Sequence, residues 1–293
     1  MKLAILSHHA NVYSTRRFVA AGRQHGHEVR VLDPVRCCLG VSEAGFEIRY
    51  KGKRVPRFDA VIPRIGGPSS RQAHAVLRQL QHMGCHTPNA SAAIAAARDK
   101  WHCHQLLAAH GVATPASVSA DHPLDTPHLL AMLGPPPHVI KLSEGTQGNG
   151  VMLAPQQEAS QAAIDALHAL HAGFLVQECI AEACGTDLRC LVIGDAVVAA
   201  IRRKASPGEF RSNLHLGGTA ESVQLDEREA ALAVRAAQVL GLGIAGVDLV
   251  QAGRGPLVLE VNASPGLEGI EQATGLDLAG RIVEWVVATR GTR

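Results

Sequence analysis

The segments Gly246-Val247-Asp248-Leu249-Val250 and Leu257-Val258-Leu259-Glu260-Val261-Asn262 read as the two strands of a β-hairpin. Both are apolar runs of the kind that forms buried strands, and Gly253-Arg254-Gly255-Pro256 between them favours a tight turn. If the turn is centred near Arg254, Asp248 lies opposite Glu260, and Asn262 projects from the same face two residues further along. The hairpin therefore carries three oxygen-bearing side chains on one side of an apolar sheet.

These three side chains predict a metal site. A cluster of Asp248, Glu260 and Asn262 is costly in apolar surroundings unless a cation neutralises it. Ligation by oxygen alone favours magnesium or manganese over zinc, and magnesium held in this way is commonly shared with nucleotide phosphates. The alternative is a solvated acidic rim on an edge hairpin, which the alternation of valine and leucine along both strands disfavours.

Length, composition and charge are those of a globular enzyme and exclude several other classes. The 293 residues suffice for two or three compact lobes, and 46% hydrophobic and 18% charged residues are ordinary values. No apolar run reaches the length of a membrane span, and the N-terminus lacks a cleavable signal pattern. Seven cysteines without a C-x-x-C pair argue against a disulfide framework. We therefore expect a cytoplasmic protein, and a net charge of +2 predicts no direct binding to nucleic acid.

Strands and helices alternate along the first ninety residues. Strands are predicted at 2–6, 28–32 and 60–62, and helices at 14–25 and 71–83. Such alternation predicts an open parallel sheet covered by helices, and ligands of these sheets bind beyond the carboxyl ends of the strands. Arg64 follows the third strand and is therefore a candidate anion-binding residue; the alternative is an exposed loop arginine.

A glycine-rich loop links two short strands in the middle of the chain. Strands predicted at 138–142 and 151–153 flank Ser143-Glu144-Gly145-Thr146-Gln147-Gly148-Asn149-Gly150. Its glycines let backbone N–H groups approach phosphate oxygens closely. Lys141 ends the entering strand, where its ammonium group can meet a phosphate as a point charge. A glycine-rich surface turn is the alternative.

A second hairpin is predicted over 188–193 and 196–203, with Gly194-Asp195 as its two-residue turn. In that register Asp187 lies opposite Arg202, and Arg189 projects from the same face. An acid among two arginines suits a ribose hydroxyl contact beside a phosphate clamp. A structural salt bridge explains the trio equally well.

Longer motifs across nearly the whole chain resemble those of ATP-grasp carboxylate–amine ligases. The resemblance is narrowest to the RimK group, which adds L-glutamate to the C-terminus of the sixth protein of the small ribosomal subunit. The matching motifs are Ile62-Pro63-Arg64-Ile65-Gly66, Ala97-Arg98-Asp99-Lys100, Glu144-Gly145-Thr146-Gln147-Gly148, Phe210-Arg211-Ser212-Asn213-Leu214-His215 and Asn262-Ala263-Ser264-Pro265-Gly266-Leu267-Glu268-Gly269-Ile270-Glu271.

The resemblance implies an α/β protein in which an N-terminal pre-ATP-grasp domain, built on a parallel sheet, is followed along the chain by the two lobes of the ATP-grasp fold. It divides the chain into an N-terminal domain (residues 1–95), a central lobe with the glycine-rich flap (96–176) and a C-terminal lobe with the metal site (177–293).

The resemblance also implies a role for each matching residue. Nucleotide binding is expected of Lys100, Lys141, Gly145, Gly148, Gln177, Glu178, Cys179, Ile180, Asp187, Arg211, Ser212 and Asn213. The metal ligands are Asp248, Glu260 and Asn262, the catalytic cations are Arg202 and Arg211, and the substrate candidates are Arg64 and Arg189. Two positions depart from the family pattern: Asn149 replaces an apolar residue of the flap, and Leu216 stands where arginine is expected after His215.

The activity that the resemblance implies is an ADP-forming ligation through an acyl phosphate, with ATP and two Mg²⁺ or Mn²⁺ ions. The expected partners are L-glutamate and the acidic C-terminal tail of a small-subunit ribosomal protein, and the expected assembly is a homo-oligomer, a tetramer by family resemblance. Two alternatives stay open: the same chemistry on an amino-group carrier protein or a small molecule, and a nucleotide-binding regulator without turnover.

Overall fold

The computed structural model describes residues 1–66, 70–143, 150–183 and 185–291. Its strands are β1 (Lys2–Ser7), β2 (Glu28–Leu32), β3 (Cys37–Ser42), β4 (Gly45–Tyr50), β5 (Lys53–Arg54), β6 (Ala60–Arg64), β7 (Ser117–Val118), β8 (His138–Leu142), β9 (Val151–Ala154), β10 (Phe174–Glu178), β11 (Thr186–Ile193), β12 (Ala196–Lys204), β13 (Thr219–Ser222), β14 (Ile244–Ala252) and β15 (Gly255–Asn262). Its helices are α1 (Tyr13–Gln24), α2 (Ser70–His82), α3 (Ser91–Arg98), α4 (Lys100–Ala109), α5 (Thr126–Leu133), α6 (Gln157–Ala169), α7 (Glu227–Val239), α8 (Glu268–Thr274) and α9 (Leu278–Ala288). Within these ranges no helix has both the length and the apolar character needed to cross a bilayer.

The N-terminal domain contains the predicted parallel sheet, with strand order β2-β1-β6. Five of the six residues of β1 are buried, as expected for a central strand covered on both faces. Ser7 pairs with Arg64 in the parallel register, so both residues lie at the carboxyl edge of the sheet. A separate antiparallel sheet, β3-β4-β5, follows the second strand. Strand β3 was not predicted, because its sequence Cys-Cys-Leu-Gly-Val-Ser lacks a clear strand pattern.

The central lobe contains an antiparallel sheet of order β7-β10-β8-β9, and the C-terminal lobe one of order β13-β12-β11-β14-β15. The central sheet packs against α5 and α6 around its own hydrophobic cluster, which includes Leu130, Ile140, Ile164 and Val176. The hairpin with the three predicted metal ligands, β14–β15, forms the far edge of the C-terminal sheet. Both predicted lobes are therefore present, each built on its own sheet.

The N-terminal domain and the C-terminal lobe share their hydrophobic cores. One cluster joins Leu6 and Val61 of the parallel sheet to Val247 and Val261 of the β14–β15 hairpin. A second cluster joins residues of the parallel sheet and α1 to residues of β11 and α9. The central lobe, whose cluster runs from Val118 to Val176, is the part of the described chain with a core of its own.

Candidate active site

The β14–β15 hairpin places Asp248 opposite Glu260, as predicted. The turn is shorter than assumed, because Ala252 pairs with Gly255 and leaves two turn residues. A register shift after Asp248 compensates for this difference and leaves Leu259 as the extra residue of a β-bulge. Without that bulge the two carboxylates would not face each other, since a shift of one residue moves a side chain to the other face of the sheet.

Asp248 is buried and is bound by two arginines. Its side chain accepts hydrogen bonds from Nε and Nη2 of Arg189, the latter at 2.7 Å, and Nη2 of Arg203 lies 3.0 Å from Oδ2. Burial alone would raise the pKa of Asp248, but the two guanidinium groups hold that pKa below its ordinary value. Protein cations therefore balance the charge of Asp248 in this structure, and its role as a metal ligand stays a prediction.

Glu260 and Asn262 fit the predicted metal better than Asp248 does. Within the described ranges Glu260 forms no ion pair or hydrogen bond through its half-buried carboxylate. Asn262 donates from Nδ2 to the carbonyl of Gly246 at 3.4 Å, which leaves its Oδ1 as an acceptor. Oxygen donors of this kind suit Mg²⁺ or Mn²⁺, and Asp248 could join them only while sharing its oxygens with arginine.

Lys100 lies at the first position of α4. The helix begins there because the side chain of Asp99 caps it by accepting a hydrogen bond from the backbone N–H of His102 at 3.0 Å. Nζ of Lys100 donates to the carbonyl of Ser143 at 3.5 Å. Gly145 and Gly148, the predicted phosphate-binding glycines, lie outside the described residues.

Lys141 and Lys100 share one electrostatic environment with Glu260. Burial, together with the positive charge of Lys100, lowers the pKa of Lys141 to about 8, although Glu260 acts in the opposite direction. Burial also lowers the pKa of Lys100, and Glu260 again acts against the shift. The two lysines of the central lobe are therefore near enough to the carboxylate of the C-terminal hairpin for their charges to interact, and nucleotide binding by the lysines stays a prediction.

The predicted pairing of Asp187 with Arg202 is wrong. In the β11–β12 hairpin the turn is Gly194-Asp195 as expected, but a register shift beyond Val192 makes Arg203 the partner of Asp187. The extra residue moves every later side chain of β12 to the opposite face. Arg202 consequently lies on the exposed side, where its Nη1 is 2.8 Å from a carboxylate oxygen of Glu221.

Arg203 is the site residue that sequence reasoning missed. It donates two hydrogen bonds to the carboxylate of Asp187, at 2.7 and 2.6 Å, and also contacts Asp248. Its guanidinium is buried, and its pKa is raised because these two carboxylates outweigh the cost of burial. Both oxygens of Asp187, the predicted ribose ligand, are therefore engaged by Arg203. The sequence carries no sign of the bulge, since glycine and proline are absent from the bulged stretch of β12.

The connection between the lobes holds Glu178, Cys179 and Ile180, three of the predicted nucleotide-binding residues. Glu178 ends β10, and its backbone N–H donates to the carbonyl of Ala116 at 3.0 Å. Its carboxylate accepts a hydrogen bond from the N–H of Ala116 at 2.7 Å and pairs with Arg254 in the turn of the β14–β15 hairpin. The connection is thus bound to the C-terminal hairpin, while nucleotide binding by these residues stays a prediction.

The predicted phosphate-side residues Arg211, Ser212 and Asn213 lie in the loop after β12. Arg211 donates to the neighbouring carboxylate of Glu209 from Nε at 3.0 Å and from Nη2 at 2.7 Å. Ser212 is buried and Asn213 is half-buried. Leu216, the departure from the family pattern, is exposed. A nucleotide contact by this loop stays a prediction.

Arg64, a predicted substrate residue, is enclosed between the N-terminal domain and the C-terminal lobe. Its Nη1 donates to the carbonyl of Pro265 at 2.7 Å, and its guanidinium lies 5.8 Å from the centre of the Phe18 ring. Burial lowers the pKa of Arg64 to about 10. No described carboxylate pairs with Arg64. The other substrate candidate, Arg189, does pair with a carboxylate, that of Asp248.

Family models match almost the whole chain. The RimK PreATP-grasp domain matches residues 1–94, and the RimK-like ATP-grasp domain matches residues 97–286. A probable alpha-L-glutamate ligase of Xanthomonas oryzae pv. oryzae is 58% identical over 284 residues, which cover 97% of this chain and 96% of that relative. One of Stenotrophomonas maltophilia is 56% identical over 286 residues, which cover 98% of each chain.

Solved structures share the fold at lower identity. The ATP-grasp ligase PsnB, complexed with a minimal precursor, Mg and ADP, matches with a TM-score of 0.75 at 23% identity, covering 100% of this chain and 98% of that chain. A RimK domain protein from Sphaerobacter thermophilus also has a TM-score of 0.75 at 23% identity, with 98% and 100% covered. Both are similar to this chain from end to end.

Proposed function

Because the chain belongs to the RimK-like ATP-grasp family, whose members are ATP-dependent ligases that form C–N bonds, we propose that it adds L-glutamate to the C-terminus of a small-subunit ribosomal protein. In this reaction a carboxylate oxygen of the acceptor attacks the γ-phosphorus of ATP, and an acyl phosphate forms as the bond to ADP breaks. The amine of glutamate then attacks the acyl carbon, loses a proton and displaces inorganic phosphate. A tetramer is the assembly proposed with it.

The observation that supports this proposal most is the electrostatic coupling of Lys100 and Lys141 to Glu260. Two half-buried ammonium groups belong to the central lobe, and a carboxylate without a described partner belongs to the C-terminal hairpin. A polyphosphate chain with a divalent cation satisfies both sides at once, because the lysines bind phosphate oxygens and the carboxylate binds the cation.

Different residues of the described chain would bind the phosphates and the metal ions during phosphoryl transfer. Lys100 and Lys141 would hold the phosphates, and Glu260 and Asn262, with Asp248 sharing its oxygens, would hold one or two Mg²⁺ or Mn²⁺ ions. When bound, such ions offset negative charge on the transferring phosphoryl group. Arg203 and Arg189 lie beside Asp248 and keep this carboxylate ionised and in place. Arg203 therefore takes the position that the sequence analysis assigned to Arg202.

The reaction products test the proposed chemistry directly. With ATP, Mg²⁺, L-glutamate and a peptide acceptor, the protein is expected to release ADP and phosphate in a ratio of one to one with the amide formed. Chromatography of the nucleotides and mass spectrometry of the acceptor measure both quantities. AMP and pyrophosphate as stoichiometric products would contradict an acyl phosphate intermediate.

The acceptor is tested with peptides that differ in terminal charge. We propose that Arg64, a cation without a described carboxylate partner, takes up a carboxylate of the acceptor or of glutamate. Peptides that end in Glu-Glu are expected to be used better than those that end in Gln-Gln, and the difference is expected to shrink as salt rises. Arg64→Ala should reduce use of the Glu-Glu peptide and leave ATP affinity unchanged.

Competition experiments with both peptides at low and high salt measure this preference. Arg290→Ala is a matched control, because it removes an exposed arginine that pairs with Asp59. Equal use of the two peptides would contradict the acidic acceptor and favour an amino-group carrier protein or a small molecule instead.

A further inference from the structure

The side-chain amide of Gln177 links three polar groups in the interior of the central lobe. Gln177 is only 1% exposed, and its Oε1 accepts a hydrogen bond from Nζ of Lys141 at 2.6 Å. Its Nε2 donates to Oγ of Ser117 at 2.9 Å and lies 3.4 Å from Nε2 of His104. The amide therefore connects strands β7, β8 and β10 with helix α4.

Chemistry determines which way this amide points. An ammonium group can only donate, so the group that faces Lys141 must be the carbonyl oxygen. The amide nitrogen must then face acceptors, and Ser117 is one because its own hydroxyl donates to the carbonyl of Pro115 at 3.1 Å. A flipped amide would direct N–H groups at the ammonium and leave both sides without an acceptor.

His104 supports the same orientation as long as it is neutral. Burial, together with the positive charges of Lys141 and Lys100, lowers the pKa of His104 to about 4. The neutral ring can accept a hydrogen bond at Nε2, and its buried Nδ1 has no hydrogen-bond partner among the described residues. Ser117 and His104 therefore act together to turn the oxygen of Gln177 towards Lys141.

We infer that Gln177 is a positioning residue, which fixes the Lys141 ammonium at the phosphate end of the nucleotide site, and that Ser117 and His104 orient its amide. The inference rests on the proposed function, because it assumes that Lys141 binds phosphate. It differs from the role expected from family resemblance, in which Gln177 contacts the nucleotide itself. Both ends of the amide are occupied by protein groups, and almost none of the residue is exposed to a ligand.

A double-mutant cycle on ADP affinity tests this inference. Gln177→Met removes both polar ends of the amide at similar size, and is expected to weaken ADP binding about ten-fold, since hydrogen bonds to charged groups are among the strong ones. In a Lys141→Met background the same change is expected to have no further effect. Titration calorimetry with ADP and Mg²⁺ measures all four proteins, and thermal unfolding confirms that each is folded.

The outcomes separate the two proposals. An equal loss in both backgrounds would overturn the inference, because Gln177 would then act without Lys141. An unchanged affinity in Lys141→Met would overturn the placement of Lys141 in the nucleotide site, and with it the proposed function on which the inference rests. A loss confined to the background with Lys141 supports both.

Gln177→Glu adds a readout that a purely structural role would not move. A carboxylate favours the charged ammonium, so the loss of ADP affinity at alkaline pH is expected to occur at higher pH than in the wild type. In Gln177→Met the ammonium lacks its acceptor, and the loss is expected at lower pH. Shifts in the same direction in both variants would contradict the inference, and Gln161→Glu, an exposed glutamine of α6, is the matched control.

Discussion

Replacing Glu260 with glutamine is expected to abolish turnover while the fold stays intact. The change keeps the size of the side chain and removes the carboxylate that faces Lys100 and Lys141. Because no described residue pairs with Glu260, the fold loses no ion pair. A divalent ion contributes several kcal/mol to stabilising a phosphoryl-transfer transition state, so the rate should fall on the order of 1,000-fold.

The rate of amide formation at saturating ATP and ordinary Mg²⁺ measures this loss, and urea unfolding measures the stability. Glu227→Gln is the matched control, because Glu227 is an exposed carboxylate in the first turn of α7. The control should have wild-type activity. A Glu260→Gln variant with a near-normal rate would remove this residue from the metal site.

Arg203→Met is expected to destabilise the fold by about 3–5 kcal/mol, because it leaves the buried carboxylate of Asp187 without its cation and removes one of the two cations beside Asp248. Arg203 bonds Asp187 and contacts Asp248, and all three side chains are buried. The neighbouring Arg202→Met is the matched control, since Arg202 pairs with Glu221 in solvent and such pairs contribute less than about 1 kcal/mol. Equal losses of unfolding free energy in the two variants would contradict the register of the β11–β12 hairpin.

The destabilisation by Arg203→Met should shrink as the pH falls. Burial opposes ionisation of Asp248, but Arg189 and Arg203 hold its folded pKa below the ordinary value of an aspartate. A depressed folded pKa stabilises the protein above the unfolded pKa, and this contribution is lost as the pH falls through the folded pKa. Without Arg203 that pKa rises, so wild type and variant should converge below about pH 4. Urea titrations at several pH values measure this convergence.

The sequence predicted the strands of the site better than their registers. Apolar alternation identified β11, β12, β14 and β15, and the two-residue turn at Gly194-Asp195 was also correct. The β11–β12 and β14–β15 hairpins each contain a bulge that no residue type in the sequence indicates. In β14–β15 the assumed turn was one residue too long and compensated for the bulge, whereas in β11–β12 nothing compensated and Arg203 was missed.

Pairing between strands that are distant in sequence explains the other differences between the predicted and the observed structure. Arg189 and Asp248 are far apart in sequence, and they meet because β11 and β14 are neighbours in the sheet. Single-sequence patterns do not contain that adjacency, so the arginine partners of the predicted metal ligand could not be foreseen. Strand β7 was missed for a related reason, because its two residues are a strand only through their pairing with β10.

The separate core of the central lobe indicates that this lobe is a modular insertion. The chain enters it through β7 and leaves it through β10, and these two strands are antiparallel neighbours in which Val118 pairs with Val176. Entry and exit therefore lie side by side, which is the arrangement in which a domain can be inserted, exchanged or removed with little disturbance to its host. The N-terminal domain lacks this independence, because its apolar residues share clusters with the C-terminal lobe. Recombination between relatives should therefore tolerate exchange of residues 117–178 and reject exchange of residues 1–95 alone.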